Sequence, residues 1–333
     1  MTRSCTVITS IFEPTEAVRS FAAMPGHRLI VVGDRKTPEP WSCPGAEFLS
    51  ARDQQSSGHS LAALLPWDHY CRKMLGYLRA IELGADVIVD TDDDNIPKAG
   101  WGFPAFDGEF ERIAGARGFV NVYRLFTDQR IWPRGLPLDR VRCDDDPSDG
   151  MGRGRCRVGV WQGLADGDPD VDAVYRLTSD EPCTFRERSP VVLGAGTLSP
   201  YNSQNTATRH ELFPLLYMPV FVTFRFTDIL RGLVAQPIMA HLGFELGFVG
   251  ATVVQRRNPH DYMKDFVSEI PMYQHAGRVA GIVAGALAPG MAVGDALVAA
   301  YEALWRAGIV PPDELPAVRA WLRDCDALMS RGR

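Results

Sequence analysis

The sequence predicts an α/β fold with a largely parallel sheet, followed by a helical C-terminal extension. Three observations carry this. Apolar, β-branched runs at 4–12, 29–32 and 86–89 alternate with stretches of helical character, the rhythm of a parallel sheet. The third run ends in an acidic turn, DTDDDN at 90–95, at the strand end where such sheets bind ligands. From His275 onward the pattern is helical. The expected division is an α/β domain over 1–270 and a helical extension over 271–333 packed on it.

Residues 4–12 read as a buried first strand and Glu13–Ala23 as a helix. Leu29–Val32 is the second strand, closed by Gly33-Asp34. Trp67–Leu83 places Tyr70, Met74, Tyr77, Leu78 and Ile81 at helical spacing. Gly84 then precedes the strand Asp86–Val89, and Phe119–Phe126 reads as another strand. Asp139–Arg157 is rich in Asp, Arg and Gly and almost free of apolar residues, so it reads as an exposed, mobile loop and a candidate lid. Phe221–Leu242 reads as strand then helix, and Phe244–Val254 as the closing strand. Gly294-Asp295 starts a helix that Gly308 ends, and Leu315–Met329 is a last amphipathic helix.

Composition excludes several classes. Apolar residues are 46% of the 333 and charged residues 23%, the balance of a globular chain. The net charge of −6 disfavours nucleic-acid binding, which rests on neutralising phosphates. The seven Cys are scattered without a CxxC pair, so neither a disulfide framework nor a zinc site is expected. The apolar stretches Leu212–Phe224 and Val279–Ala300 are too short or too broken by Pro, Gly and Asp to span a bilayer. With no apolar leader in MTRSCTVITS, the expected location is the cytoplasm.

The acidic turn is the strongest chemical signal. Asp90, Asp92, Asp93 and Asp94 repel one another unless a cation sits among them. Carboxylate oxygens suit hard ions such as Mg2+, Mn2+ or Ca2+. An EF-hand needs Gly at its sixth and Glu at its twelfth position, but Asn95 and Trp101 stand there. A phosphatase of the haloacid dehalogenase type needs Thr where Asp94 stands. A metal bridging to a diphosphate remains, with solvated surface charge as the rival reading.

Several strings resemble the STELLO glycosyltransferase family and, more distantly, the reversibly glycosylated polypeptides, which include UDP-arabinopyranose mutases. They are VVGDRKTP (31–38), KMLGYLRAIELGADVIVDTDDDNIP (73–97), NVYRLFTDQRIWPRGLPLD (121–139), VGVWQGLADGDPDVDAVYRLT (158–178), PYNSQNT (200–206), FTDILRGLVAQPI (226–238) and VVQRRNPHDYMKDF (253–266). The resemblance covers most of residues 5–266. It implies a GT-A fold, Rossmann-like, with a nucleotide-diphosphate-sugar donor, a uracil base and a divalent metal, Mn2+ or Mg2+.

It also implies residue roles. Asp92 and Asp94 form the Asp-x-Asp pair on the metal and diphosphate, with Asp93 beside them on the donor side. Thr9, Ser10 and Asp34 line the nucleoside end, Asp34 being otherwise a turn residue. Lys73 is a donor contact or a solvated helix position. Asp166 and Asn205 belong to the acceptor side, with a turn and a helix cap as their structural alternatives. Asp228 is the catalytic carboxylate near the acceptor hydroxyl, as general base or orienting group, or else an N-cap. Arg134 is a donor or acceptor contact, or a glycosylation site as in the mutases. His260 is the candidate third metal ligand; alternatively Arg256 and Arg257 hold the diphosphate directly.

The reading that follows is a metal-dependent glycosyltransferase using a UDP-sugar. A sugar-nucleotide mutase or self-glycosylating protein is the alternative from the same fold. A non-catalytic scaffold in polysaccharide synthesis is the alternative from another class. The acceptor and the oligomeric state are not legible.

Overall fold

The computed structural model describes residues 3–143, 145–179, 181–256 and 261–330. In chain order the strands and α-helices are β1 (Ser4–Thr9), α1 (Glu16–Ala22), β2 (Arg28–Val32), β3 (Ala46–Leu49), α2 (Ala51–Ser56), α3 (Lys73–Glu82), β4 (Val87–Thr91), β5 (Asn95–Pro97), β6 (Asp107–Ile113), β7 (Gly118–Phe119), β8 (Met151–Gly167), α4 (Ala173–Thr178), β9 (Val191–Leu193), β10 (Thr197–Leu198), β11 (Asn205–Arg209), α5 (Thr227–His241), β12 (Glu245–Gln255), α6 (Tyr262–Ala286), α7 (Val293–Arg306) and α8 (Glu314–Met329). The α/β class with a helical C-terminal region is therefore the class observed.

Strands β3, β2, β1 and β4 run parallel in that spatial order. Antiparallel β11 joins β4 to β8. The chain leaves β1 toward β2 and β3, then returns to β1's other side as β4, so the order reverses between β1 and β4. Ligand crevices of open α/β sheets form at such a reversal.

Side-chain alternation splits the core into two layers. Ile30 and Val32 join α3, while Leu29 and Val31 join Phe21 and Val18 of α1. Helix α3 lies close on the sheet because Gly76 faces it: a Cβ there would fall 2.5 Å from Val7 and 2.6 Å from Val32. That approach brings Lys73 beneath the end of β4.

Three expectations need correction. Residues 151–157 are not part of a loop or lid; they open the 17-residue strand β8 and pair with β6. The pairing sets Arg153, Arg155 and Arg157 opposite Glu111, Glu109 and Asp107, so cross-strand charge rather than apolar alternation marks this strand pair. Phe119–Phe126 is not one strand. Only Gly118–Phe119 pairs, with β10, and the Asn121 side chain accepts from the Tyr123 N–H to open a 3-10 turn at Val122–Leu125. No strand forms at 221–226 before α5 either: the Val220 and Phe221 N–H groups donate to the buried Glu314 carboxylate instead of to a neighbouring strand. The expected boundary at 270/271 falls inside α6. Among the described residues no helix is long and apolar enough to cross a membrane.

Candidate active site

At the carboxyl ends of β1, β2 and β4 lies a cleft of about 340 Å³, within the size range of small-molecule sites. Thr9, Ser10 and Asp34 line one part, Asp92, Asp93 and Asp94 the middle, and Arg134, Asp170, Arg225 and Asp228 the far side.

The acidic turn is built from below. β4 runs on to Thr91, so Asp90 lies within the strand and is fully buried. It faces Lys73 at 2.7 Å, Arg231 at 2.8 Å and the Tyr77 hydroxyl at 2.5 Å. Only Asp92, Asp93 and Asp94 reach the cleft. Asp92 Oδ1 accepts from Lys73 Nζ at 2.9 Å and from the Tyr70 hydroxyl at 3.3 Å. Asp93 accepts from Ser10 Oγ at 2.5 Å, and its carbonyl accepts from Thr15, the N-cap of α1. Asp94 accepts from Gln255 Nε2 at 3.1 Å. Burial pushes the Asp92 carboxyl up to about 6 against the pull of Lys73, and burial also raises Asp93. Asp92 and Asp94, two residues apart and both lining the cleft, offer carboxylate oxygens of the kind that hard divalent ions take. Among the described residues no group of three or more His, Cys, Asp or Glu is placed to hold a metal ion.

Asp34 is held at the edge of the cleft by the N–H groups of Arg35 at 2.6 Å and His69 at 3.3 Å. Thr37 Oγ1 ties the Asp34 turn to the Ser10 carbonyl. Thr9, Ser10 and Asp34 all line the cleft.

Asp228 stands in the first turn of α5, where Phe226 occupies the N-cap position without a side-chain cap. Its carboxylate turns to Arg134 Nη2, at 3.1 and 2.9 Å. Arg134 also donates to both oxygens of Asp170, at 2.8 and 2.9 Å, and to the Arg225 carbonyl. Gly135 makes this turn possible: its φ is +90°, and a Cβ there would fall 2.4 Å from Ile229. Burial alone would raise the Asp170 carboxyl, but the Arg134 guanidinium outweighs it and holds it down to about 2.

Several expected site residues lie outside the cleft or are already engaged by protein groups. Lys73 is fully buried and serves Asp90 and Asp92 rather than a ligand. Asp166 pairs with Lys98 and accepts from the Phe185 N–H, outside the cleft lining. Asn205 is buried in β11, bonded to Trp101 Nε1 and Thr252 Oγ1, and caps no helix. Arg256 is exposed and pairs with Glu16, and its backbone N–H donates to the Asp94 carbonyl. Arg134 reaches the cleft with all three guanidinium nitrogens already donating. His260 and Arg257 lie outside the described residues. Sequence reasoning missed Tyr70, counted as an apolar helix position, and Ser203, whose one signal is its place in PYNSQNT.

Fold and cleft define an α/β protein with an acidic cleft at its topological switch point. Comparison with known proteins is specific. The family model of the STELLO glycosyltransferases matches residues 225–288. Two Arabidopsis thaliana proteins, named "Probable glycosyltransferase STELLO1" and "Probable glycosyltransferase STELLO2", are 29% and 31% identical to 95% and 96% of this chain. These matches bear out the resemblance read from the motifs. The chain spans less than half of those relatives, 43% and 44% of their length. More distant likenesses are a mycobacterial protein (TM-score 0.37, 14% identity, 84% of this chain and 73% of that one) and glucosyl-3-phosphoglycerate synthase from Mycobacterium tuberculosis with Mg2+ and UDP (TM-score 0.37, 13% identity, 82% and 80%).

Proposed function

We propose that this chain is a glycosyltransferase of GT-A type that takes a UDP-sugar with a divalent metal, Mn2+ or Mg2+. The observation that carries the reading is the acidic turn Asp92–Asp94 at the floor of the switch-point cleft. Charge bookkeeping supports it. Seven aspartates line the cleft against four Lys or Arg. Of these bases, Arg134 is bound by Asp170 and Asp228 and Arg225 by Glu269. Arg72 lies over Trp67 and donates to Gln54, and Lys36 pairs with Asp68 at 3.6 Å. The lining is thus acidic in excess, with Arg134 and Arg225 neutralised by carboxylates and Arg72 and Lys36 as its remaining positive charges, so a diphosphate would meet net negative charge and an accompanying metal suits it.

In this reading Asp92 and Asp94 hold the metal. When bound, the ion would neutralise the departing diphosphate. Thr9, Ser10 and Asp34 receive the nucleoside. Asp228, oriented by Arg134, receives the acceptor hydroxyl as base or as orienting group. Arg134 is buried and engaged by two carboxylates and a backbone carbonyl, which supports a positioning role over the glycosylated position of the mutase alternative. Incubation with UDP-sugars and metal should leave the intact mass unchanged.

The direct test is thermal. UDP with MnCl2 should raise the melting temperature by more than either alone, because a ligand bound only by the folded state stabilises it. Asp92→Asn and Asp94→Asn should each remove the joint shift. A joint shift that survives both substitutions would sink the metal assignment.

A further inference from the structure

Tyr70 lies between the two carboxylate groups of the cleft. Its hydroxyl is 3.3 Å from Asp92 Oδ1, is hydrogen-bonded to Ser203 Oγ, and accepts from Lys73 Nζ at 3.3 Å. Ser203 is 1% exposed. Its hydroxyl and its N–H both lie 3.4 Å from Asp228 Oδ2. The line Asp92, Tyr70, Ser203, Asp228 therefore holds three oxygen-to-oxygen contacts but only two hydroxyl protons.

If the middle contact is kept, both protons point toward Asp92 or both toward Asp228. The direction depends on which carboxylate has the greater need of a donor. Asp92 already has Lys73, and Asp228 already has Arg134. A cation on Asp92 would withdraw charge from that carboxylate and weaken its claim on the Tyr70 proton.

We propose that Tyr70 and Ser203 are positioning residues: a two-way hydroxyl relay that couples metal and donor loading at Asp92 to the orientation of Asp228. The proposal rests on the metal-site reading above. No bond is made and no group changes its protonation state; two O–H rotors turn.

The coupling is measurable without turnover. Free Mn2+ is counted by electron paramagnetic resonance at saturating UDP, in wild-type, Tyr70→Phe and Ser203→Ala backgrounds, each with and without Asp228→Asn. In the wild-type background Asp228→Asn turns the relay toward Asp92, where it competes with the ion. The simple loss of a negative charge also weakens Mn2+ binding, but that part persists in every background. The weakening by Asp228→Asn should therefore be about threefold or more greater in the wild-type background than with the relay cut, a coupling of the size found for contacting residues. Equal weakening in all backgrounds overturns the relay alone. Wild-type protein that leaves Mn2+ free overturns the metal reading and the relay with it. Tyr70→Phe keeps the ring that packs against Phe224 at 5.7 Å, and Ser203→Ala deletes one atom, so either variant carries the test if the other folds poorly.

Discussion

Asp170 and Asp172 stand two residues apart and are pushed in opposite directions. Arg134 outweighs burial and holds Asp170 down to about 2, whereas burial drives Asp172 up to about 6. The sign of each effect on stability follows from an unfolded value near ~3.9. Asp170's contribution is present above about pH 4 and is lost as pH falls toward 2. Asp172 binds its proton more tightly in the folded state, so its contribution is full below about pH 4 and is lost as pH rises to 6. Asp172→Asn should therefore gain on the wild type by roughly 2–3 kcal/mol between pH 4 and 7. Urea unfolding at those two pH values measures this, and parallel pH dependences would contradict it. Arg134 gives a second prediction. Arg134→Met leaves Asp170 and Asp228 buried without their counter-ion, at a cost of about 3–5 kcal/mol. Adding Asp170→Asn should restore part of that loss in the same urea titration, and no recovery would count against the ion pair. None of this pairing is legible in the sequence, because Arg134 and Asp228 are 94 residues apart. What the sequence does carry is local: a β-branched strand ending in Asp-x-Asp brings Asp92 and Asp94 to the cleft, but it cannot show that Asp90 points away to Arg231.

At the scale of elements, legibility follows how a segment obtains its partners. Strands β1, β2 and β4 bury both faces and so read as apolar runs. The start of β8 obtains its order from β6, and the alternation in its sequence is Arg with Gly and Cys, which looks like a loop. The Val122–Leu125 turn buries apolar side chains as a strand would, but the Asn121 cap decides its backbone. These assignments predict a proteolytic pattern. Trypsin should nick the native protein at exposed Arg142 while sparing Arg153, Arg155 and Arg157, whose backbones are paired to β6. Mapping the first cuts by mass spectrometry decides it, and early cleavage at those three arginines would contradict the strand.

Across the whole molecule, the C-terminal helices and the acidic turn belong to one packed unit. Trp321 of α8 is fully buried, donates to the Pro214 carbonyl and meets Tyr77 edge-on, with ring centroids 6.5 Å apart. Tyr77 in turn donates to Asp90, the residue that shares Lys73 with Asp92. Glu314 at the start of α8 accepts from Tyr217 and from the backbone before α5, the helix that carries Asp228. Leu297, Tyr301 and Leu304 of α7 lie in the same core cluster as α3 and α5. A chain ending at residue 290 keeps α6 whole but strips these partners from the sheet's helical layer. It also leaves the backbone donors of Val220 and Phe221 without their acceptor. Such a chain should show no cooperative melt and no response to Mn2+ with UDP. Trp321→Ala in the full chain should fold but lose about 3–5 kcal/mol, with fluorescence and far-ultraviolet dichroism reporting one coincident transition. A truncated chain that melts cooperatively and still answers to UDP would show instead that α7 and α8 are a detachable cover, and that the sheet supports its acidic cleft without them.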